Sequence, residues 1–599
     1  MTTTAPRPST ASAAPPTTSP ATGTPDGQFH MTHRQILEAL SGLLLGMFVA
    51  ILSSTVVSNA LPVILPALGG GESGYTWVVV AALLATTVST PIWGKLADIF
   101  SKKVLVQTSL VIFVIASVVA GFSVNVPMLI AARVGQGLGA GGLTALAQIV
   151  LATMIAPRER GRYSGYLGAT FALATVGGPL IGGVITEHLS WHYTFFVGVP
   201  FAVAAFVVIQ KTLDLPVVKR EVHIDYWGAT LLAAGVSALL IWVSLAGKDF
   251  DWVSWQTFAL VGGGIALLVA LVLVERRARD AIIPLHLFRS STTVLASVAS
   301  LFVGIAMFGA TIFLAQYFQL ARGDSPTVAG LRTLPMIAGL FLSSTAIGQL
   351  VSRTGRWKRW IVTGGVLLTA GLGLMGTVAW DTDYWVVAIH MALVGLGVGM
   401  MMQNLVLAVQ NVTAPQDMGT ASSFVAFTRS LGGSIGVSVL GAVLGHRVTA
   451  YLTSSLTDAG VDPSQLGAAG SGGVPVLAEI PQPVRTLVQA AYGDGIADIF
   501  LVAAPFALLS LLFVLFFKET ALRTSNAAAT ADVPDGEQAA GQVGTAPLGS
   551  TAPTGTSAVT AEDDAVHHGK HAAPVEPASG DADHLGRHAD RRVPLDAHR

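Results

Sequence analysis

The stretch LIAARVGQGLGAGG, residues 129–142, lies inside an apolar run that extends over 127–151. A helix needs about 20 apolar residues to cross the hydrocarbon core of a bilayer, so this run places Arg133 within the membrane. A buried arginine costs roughly 2.5–3.5 kcal/mol even on lenient insertion scales. Arg133 must therefore face protein and find acceptors. Gln136 stands three residues on, on the same helix face. Gly135, Gly137, Gly139, Gly141 and Gly142 let a neighbouring helix approach closely. Two roles are open for Arg133: a packing residue held by backbone carbonyls, or a member of a substrate or proton path. The cost of an idle charge favours the second.

Thirteen similar runs accompany this one. They lie near 40–62, 76–96, 103–122, 164–186, 194–213, 227–247, 256–275, 293–320, 333–352, 360–379, 385–410, 418–445 and 497–517. The runs are continuous, whereas a membrane β-barrel would alternate over about ten residues. The chain of 599 residues is 52% hydrophobic and 11% charged. Soluble domains carry about 25% charged residues, so an ordinary soluble enzyme is excluded. A net charge of −1 gives no footprint for nucleic acid. The absence of cysteine excludes a disulfide framework, a thiol nucleophile and a Cys-ligated metal.

The expected fold is an all-α polytopic membrane protein with 14 transmembrane helices. Its body is flanked by tails, 1–35 and 521–599, rich in Ala, Thr, Pro and Gly, which cannot bury a core. Lys and Arg cluster in loops on the N-terminal side, as at Lys102, Lys103, Arg158, Arg160, Arg162 and Arg353–Arg359. The opposite loops hold only Lys248, Arg322, Arg332, Arg447 and Arg485. The positive-inside rule then puts both termini in the cytoplasm. The longest loop, 446–496, reads as an outer connector with an amphipathic helix at Val484–Tyr492 lying on the surface; a functional lid is the alternative.

Short motifs divide the body. GKLADIFSKK (94–103) follows the second run, and SRTGRWKRW (352–360) follows the tenth. Basic hairpins in corresponding places suggest an internal repeat. Residues 36–215 and 286–520 then form two pseudo-symmetric six-helix bundles, with 216–285 an inserted two-helix hairpin. In the fifth run, GGPLIGG (177–183) breaks the helical ladder at Gly178 and Pro179. It offers either tight packing or a seam on which the halves rock, and the seam is the favoured reading.

These blocks resemble the major facilitator superfamily: the Arg133 block its fourth-helix arginine motif, and Gly165, Gly178, Pro179, Gly182 and Gly183 its antiporter motif. Ala174 and Ser101 stand where glycines are usual. Fourteen runs, IDYWG (224–228) and RSLGGSIG (429–436) resemble the drug:proton antiporter branch. The resemblance implies a proton-coupled exporter of drug-like or antibiotic molecules across the cell membrane. It implies a conformational latch made of Gly94, Asp98, Lys102 and Lys103, with Asp98 against the N-terminus of the thirteenth helix. In the first run, LSSTVVSNALP (52–62), Ser53 stands where that branch carries an embedded aspartate.

The candidate substrate or proton relay is Ser53, Thr55, Asn59, Arg133, Gln136, Asn404 and Arg429. Arginines without embedded acids should favour neutral or anionic cargo. No Walker A loop is present, so ATP is not the energy source, and no cofactor, metal or catalytic triad is expected. The His-rich HHGKH (567–571) fits no closed metal site. Expected partners are a small-molecule substrate, protons and the lipid bilayer, with the chain a monomer. An uptake symporter on the same fold and a non-transporting membrane sensor are the alternatives.

Overall fold

The computed structural model describes residues 33–69, 72–215, 225–247, 249–278, 280–458, 481–482 and 484–524. The first half comprises α1 (His33–Ala67), α2 (Glu72–Ile99), α3 (Lys102–Gly121), α4 (Val126–Met154), α5 (Pro157–His188), the short α6 (Tyr193–Phe196) and α7 (Gly198–Thr212). The hairpin is α8 (Tyr226–Leu245) and α9 (Trp255–Glu275). The second half comprises α10 (Ser291–Gln316), the short α11 (Pro326–Arg332), α12 (Leu334–Thr354), α13 (Lys358–Met375), α14 (Tyr384–Val412), α15 (Met418–Asp458) and α16 (Val484–Leu515). No β-strand occurs among the described residues; Ala246 and Phe250 form an isolated bridge.

Among the described residues, thirteen helical stretches are long and apolar enough to cross a membrane; α6–α7 and α11–α12 each count as one. The one remaining apolar run, the eleventh in chain order, is α13, of 18 residues, whose opening Lys358 and Arg359 lower its hydropathy. It packs between α14 and α16 as the other spans do. Local chemistry sets the helix starts. Asn125, Asp225, Ser254 and Ser290 each accept a bond from an otherwise unpaired N–H in the first turn of α4, α8, α9 and α10.

The repeat is visible in the packing. In the first half α1 lies on α5 and α7, α2 on α4, and α3 on α4 and α7. In the second half α10 lies on α15 and α16, α12 on α14, and α13 on α14 and α16. The halves meet along α2/α15 and α5/α12, which exchanges the same two positions of each half. The hairpin covers the first of these seams. Leu232, Val236 and Leu240 of α8 join a buried cluster with Val88 of α2 and Phe427 of α15.

Three boundaries differ from the sequence reading. The amphipathic stretch Val484–Tyr492 is the first part of α16, not a separate surface helix. Val488, Ala491 and Ile496 are buried at helical spacing and continue into the span. On the other side of that connector α15 runs on to Asp458, and 459–480 lie outside the described residues. Residues 521–524 do not belong to the tail: Leu522 is buried and Arg523 is bonded to the body. The rest of the tail, with HHGKH, lies outside the described residues, as does 1–32.

Candidate functional site

Asp98 occupies the last turn of α2, at the end of the bundle that carries the Lys- and Arg-rich loops. Its carboxylate accepts from the backbone N–H of Gly419 (2.7 Å) and Thr420 (2.7 Å) and from the Thr420 hydroxyl (2.7 Å). These are orphan donors in the first turn of α15, where the helix dipole favours an acid. The acid of one half thus caps a helix of the other. Gly94, one turn earlier on the same face, makes this approach possible. A Cβ there would run into Ser423 and would lie 3.0 Å from the Gly419 carbonyl. Lys102 acts electrostatically on Asp98. Lys103 does not join the latch, because its Nζ donates to the Gln210 carbonyl at the end of α7 (2.8 Å).

The α5/α12 seam closes at the same end by different chemistry. A Cβ on Gly161 would meet the Gly348 carbonyl, and one on Gly165 would meet Thr345. Arg160, 2% exposed, donates to the carbonyls of Ile155 (2.7 Å) and Ala152 (2.5 Å) and across the seam to Gln410 Oε1 (2.8 Å). Gln410 in turn donates to Ser422 on α15 (2.9 Å). Ser352 lies four residues after Gly348, as Asp98 lies four after Gly94, so this seam has a hydroxyl in the place of the acid. Sequence reasoning missed Arg160, since a basic residue near a loop reads as a topology signal until the second bundle buries it.

The antiporter block serves two contacts. Gly178 faces Thr55 of α1, whose hydroxyl donates to the carbonyls of Ile51 (3.1 Å) and Leu52 (2.9 Å) and to that of Ala174 on α5 (3.2 Å). A Cβ at Gly182 would lie 3.1 Å from the Val56 carbonyl. This face is a contact within the first half. Gly165 and Gly183 lie on the face toward the second half, a Cβ on Gly183 standing 3.5 Å from Thr327. The block is therefore not one seam between halves. An α-helix has several faces: Gly178 and Gly182, four apart, share α1, whereas Gly165, thirteen before Gly178, faces α12. The side chains of Asn59 and Pro179 lie outside the described ones.

The relay candidates are not gathered at one point. Arg133 donates to Gln136 Oε1 (3.0 Å) and, more weakly, to the Val78 carbonyl of α2 (3.4 Å); Gln136 donates to Ser117 of α3 (2.9 Å). These bonds tie three helices of one half together, as a packing arginine would. Asn404 turns back on its own helix, to the Met400 carbonyl (2.7 Å). Arg429 on α15 differs: it is 7% exposed, and its Nη1 has no partner among the described residues. Ser53 is also buried with an unpaired hydroxyl. Between the halves lies a small cavity bounded by Phe171 and Thr175 of α5, Met307 of α10, Met336 and Leu340 of α12, and Val398 of α14. Its lining is almost wholly apolar.

Residues 43–437 match the family described as Major Facilitator Superfamily. The chain belongs to the major facilitator superfamily. Among its relatives, the multidrug transporter protein MdtP of Bacillus subtilis is 34% identical over 70% of this chain and 77% of its own length. The efflux pump dotC of Dothistroma septosporum is 31% identical over 82% of this chain and 84% of its own length. Among solved structures, the proton:xylose symporter XylE superposes with a TM-score of 0.52 at 15% identity, covering 82% of this chain and 96% of that one. That likeness shows the fold. With two pseudo-symmetric halves and an inserted hairpin, this major facilitator is a multi-pass membrane transporter of the multidrug-efflux branch.

Proposed function

We propose that this transporter exports drug-like or antibiotic small molecules across the cytoplasmic membrane in exchange for protons, by alternating access. The observation that carries the reading is the Asp98 cap on α15, a contact between halves that can be made and broken as they rock. The distribution of Lys and Arg supports the basic end of the bundle as its cytoplasmic face, and on that reading the Asp98 cap belongs to a form closed toward the cytoplasm. The likeness to the efflux pump dotC supports export over uptake. Efflux from loaded cells, with and without a protonophore, tests the reading. Export unaffected by collapse of the proton gradient, or accumulation in place of export, would overturn it.

The cargo reading follows from charge. Neither Arg133 nor Arg429 forms an ion pair among the described residues. Arg133 spends its bonds inside the first half, so Arg429 is the cation better placed to act on cargo. A buried cation attracts anions and repels cations in low dielectric. Neutral or anionic compounds are expected to leave faster than quaternary ammonium dyes, and Ser53→Asp is expected to shift the preference toward cations. Side-by-side efflux of a cationic, a neutral and an anionic compound checks this. A wild-type preference for the quaternary dye would sink the charge argument.

The tails are expected to be dispensable. Removing 1–30 and 525–599 should leave efflux within about twofold of the full chain, since such composition cannot join a packed core. Loss of efflux in a correctly inserted truncation would give a tail a regulatory role.

A further inference from the structure

Residues 516–524, beyond the end of α16, run across the basic ends of α13, α14 and α5. Glu519 Oε1 accepts from the backbone N–H of Trp357 (3.0 Å) and Lys358 (3.2 Å) and so caps α13. The Thr520 carbonyl accepts from the Trp357 indole (2.9 Å). Asn411, near the end of α14, donates to the Thr520 hydroxyl (3.1 Å) and the Ala521 carbonyl (3.0 Å), and accepts from the Arg523 N–H (2.9 Å). The Arg523 guanidinium donates to the carbonyls of Gln410 (2.8 Å) and Thr413 (2.6 Å). All these partners belong to the second half. The last contact does not: the Arg523 carbonyl accepts from the N–H of Arg158, in the first turn of α5 (3.2 Å).

This places the two seams in register. At α2/α15, the orphan N–H groups that open α15 are capped by Asp98 of the opposite half. At α5/α12, an orphan N–H that opens α5 is capped by a main-chain carbonyl of the opposite half, delivered by the segment after α16. The acid has no equivalent there, because Ser352 stands at the matching position and its hydroxyl is unpaired. We propose that Glu519–Arg523 is a second latch of the closed basic face, with Arg523 and Asn411 its positioning residues. The inference rests on the alternating-access reading. One latch is then a carboxylate, sensitive to charge, and the other a peptide carbonyl, which is not. Of the two carbonyls that Arg523 holds at the end of α14, one is that of Gln410, whose side chain also receives Arg160 of α5. Arg523 thus fixes the strap where the halves already touch. Its own charge is disfavoured by burial, and the neighbouring Arg160 adds a like charge. The two carbonyls at its head offset that cost.

The chain has no cysteine, so one introduced thiol reports without background. Ser352→Cys puts it at the seam, where a Cβ on Gly161 would lie 2.7 Å from the Ser352 hydroxyl. The probe is the maleimide labelling rate of Cys at 352 in the purified full chain in nanodiscs, where both faces are open to reagent and neither cargo nor protons need move. With Arg523→Ala the rate should rise at least about tenfold, the weight of one charge-assisted bond. Arg523→Lys, which can still donate to carbonyls, should restore much of the protection. Thr520→Val, which removes one part-buried bond of the strap, should give a smaller rise and carries the test if Arg523→Ala fails to fold. Unchanged labelling in folded Arg523→Ala and Thr520→Val would overturn the proposal. Because labelling needs no transport, failure of the export reading would show separately, in the protonophore experiment.

Discussion

Asp98→Asn is expected to leave the protein inserted and to lower efflux by at least about tenfold, since each bond to a charged acceptor is worth roughly 1.5–3 kcal/mol. Three donors converge on the carboxylate: two backbone N–H groups and one hydroxyl. An asparagine keeps one oxygen but presents an NH2 where the other stood, and that group faces donors. It also loses the charge that the α15 dipole favours. The form closed at the basic face is then weakened relative to the form open there. A shift of about 1.4 kcal/mol already changes their ratio tenfold. A carrier that must visit both forms slows when one is depleted. The measurement is efflux from proteoliposomes beside a thermal-melting check on the same preparation. Wild-type efflux by a folded Asp98→Asn protein would remove the latch from the mechanism. Labelling at position 352 should rise in this variant too, because halves that rock as bodies open both seams together.

Why some of this is readable in the sequence and some is not follows from what each feature depends on. The spans depend on local hydropathy, and fourteen runs are plain in the residues. Their ends are less so: α15 outruns its apolar core to reach Asp458, and α16 starts at Val484 among polar residues. There helical spacing, not hydropathy, marks the helix, and 488, 491 and 496 carry it. The Gly94–Asp98 pair announces a close approach and an acid at a helix end, but its partner lies more than 300 positions away. The strap is the least legible element. Arg523 sits in polar sequence that resembles the tail after it, and its role comes from main-chain groups of Gln410, Thr413 and Arg158. No residue pattern encodes a carbonyl. Arg133 is a different case. Its cost in the membrane is real, and the Val78 carbonyl and Gln136 meet it inside one half, so the cost by itself does not choose between packing and relay.

Gly178→Leu is expected to abolish efflux while the protein still inserts. The position lies where α5 crosses α1, and even a methyl group there would overlap the Thr55 hydroxyl and Cβ. Thr55 cannot simply rotate away without loss, since its hydroxyl links the helices through the Ala174 carbonyl (3.2 Å). Overpacking of this kind costs roughly 1–3 kcal/mol and often more where backbone must shift. In a membrane, close packing of small residues supplies much of the helix association, so separating α1 from α5 also moves Ser53 on α1 and the α5 wall of the cavity at Phe171 and Thr175. Gly178→Ala should show a graded loss. Thr55→Ala should not rescue it, because the obstructing Cβ remains. Thr55→Gly with Gly178→Ala moves the methyl group from one helix to the other and should recover part of the efflux. Full activity of Gly178→Leu would mean that α1 and α5 tolerate separation. Rescue by Thr55→Ala as complete as by Thr55→Gly would put the clash at the hydroxyl alone.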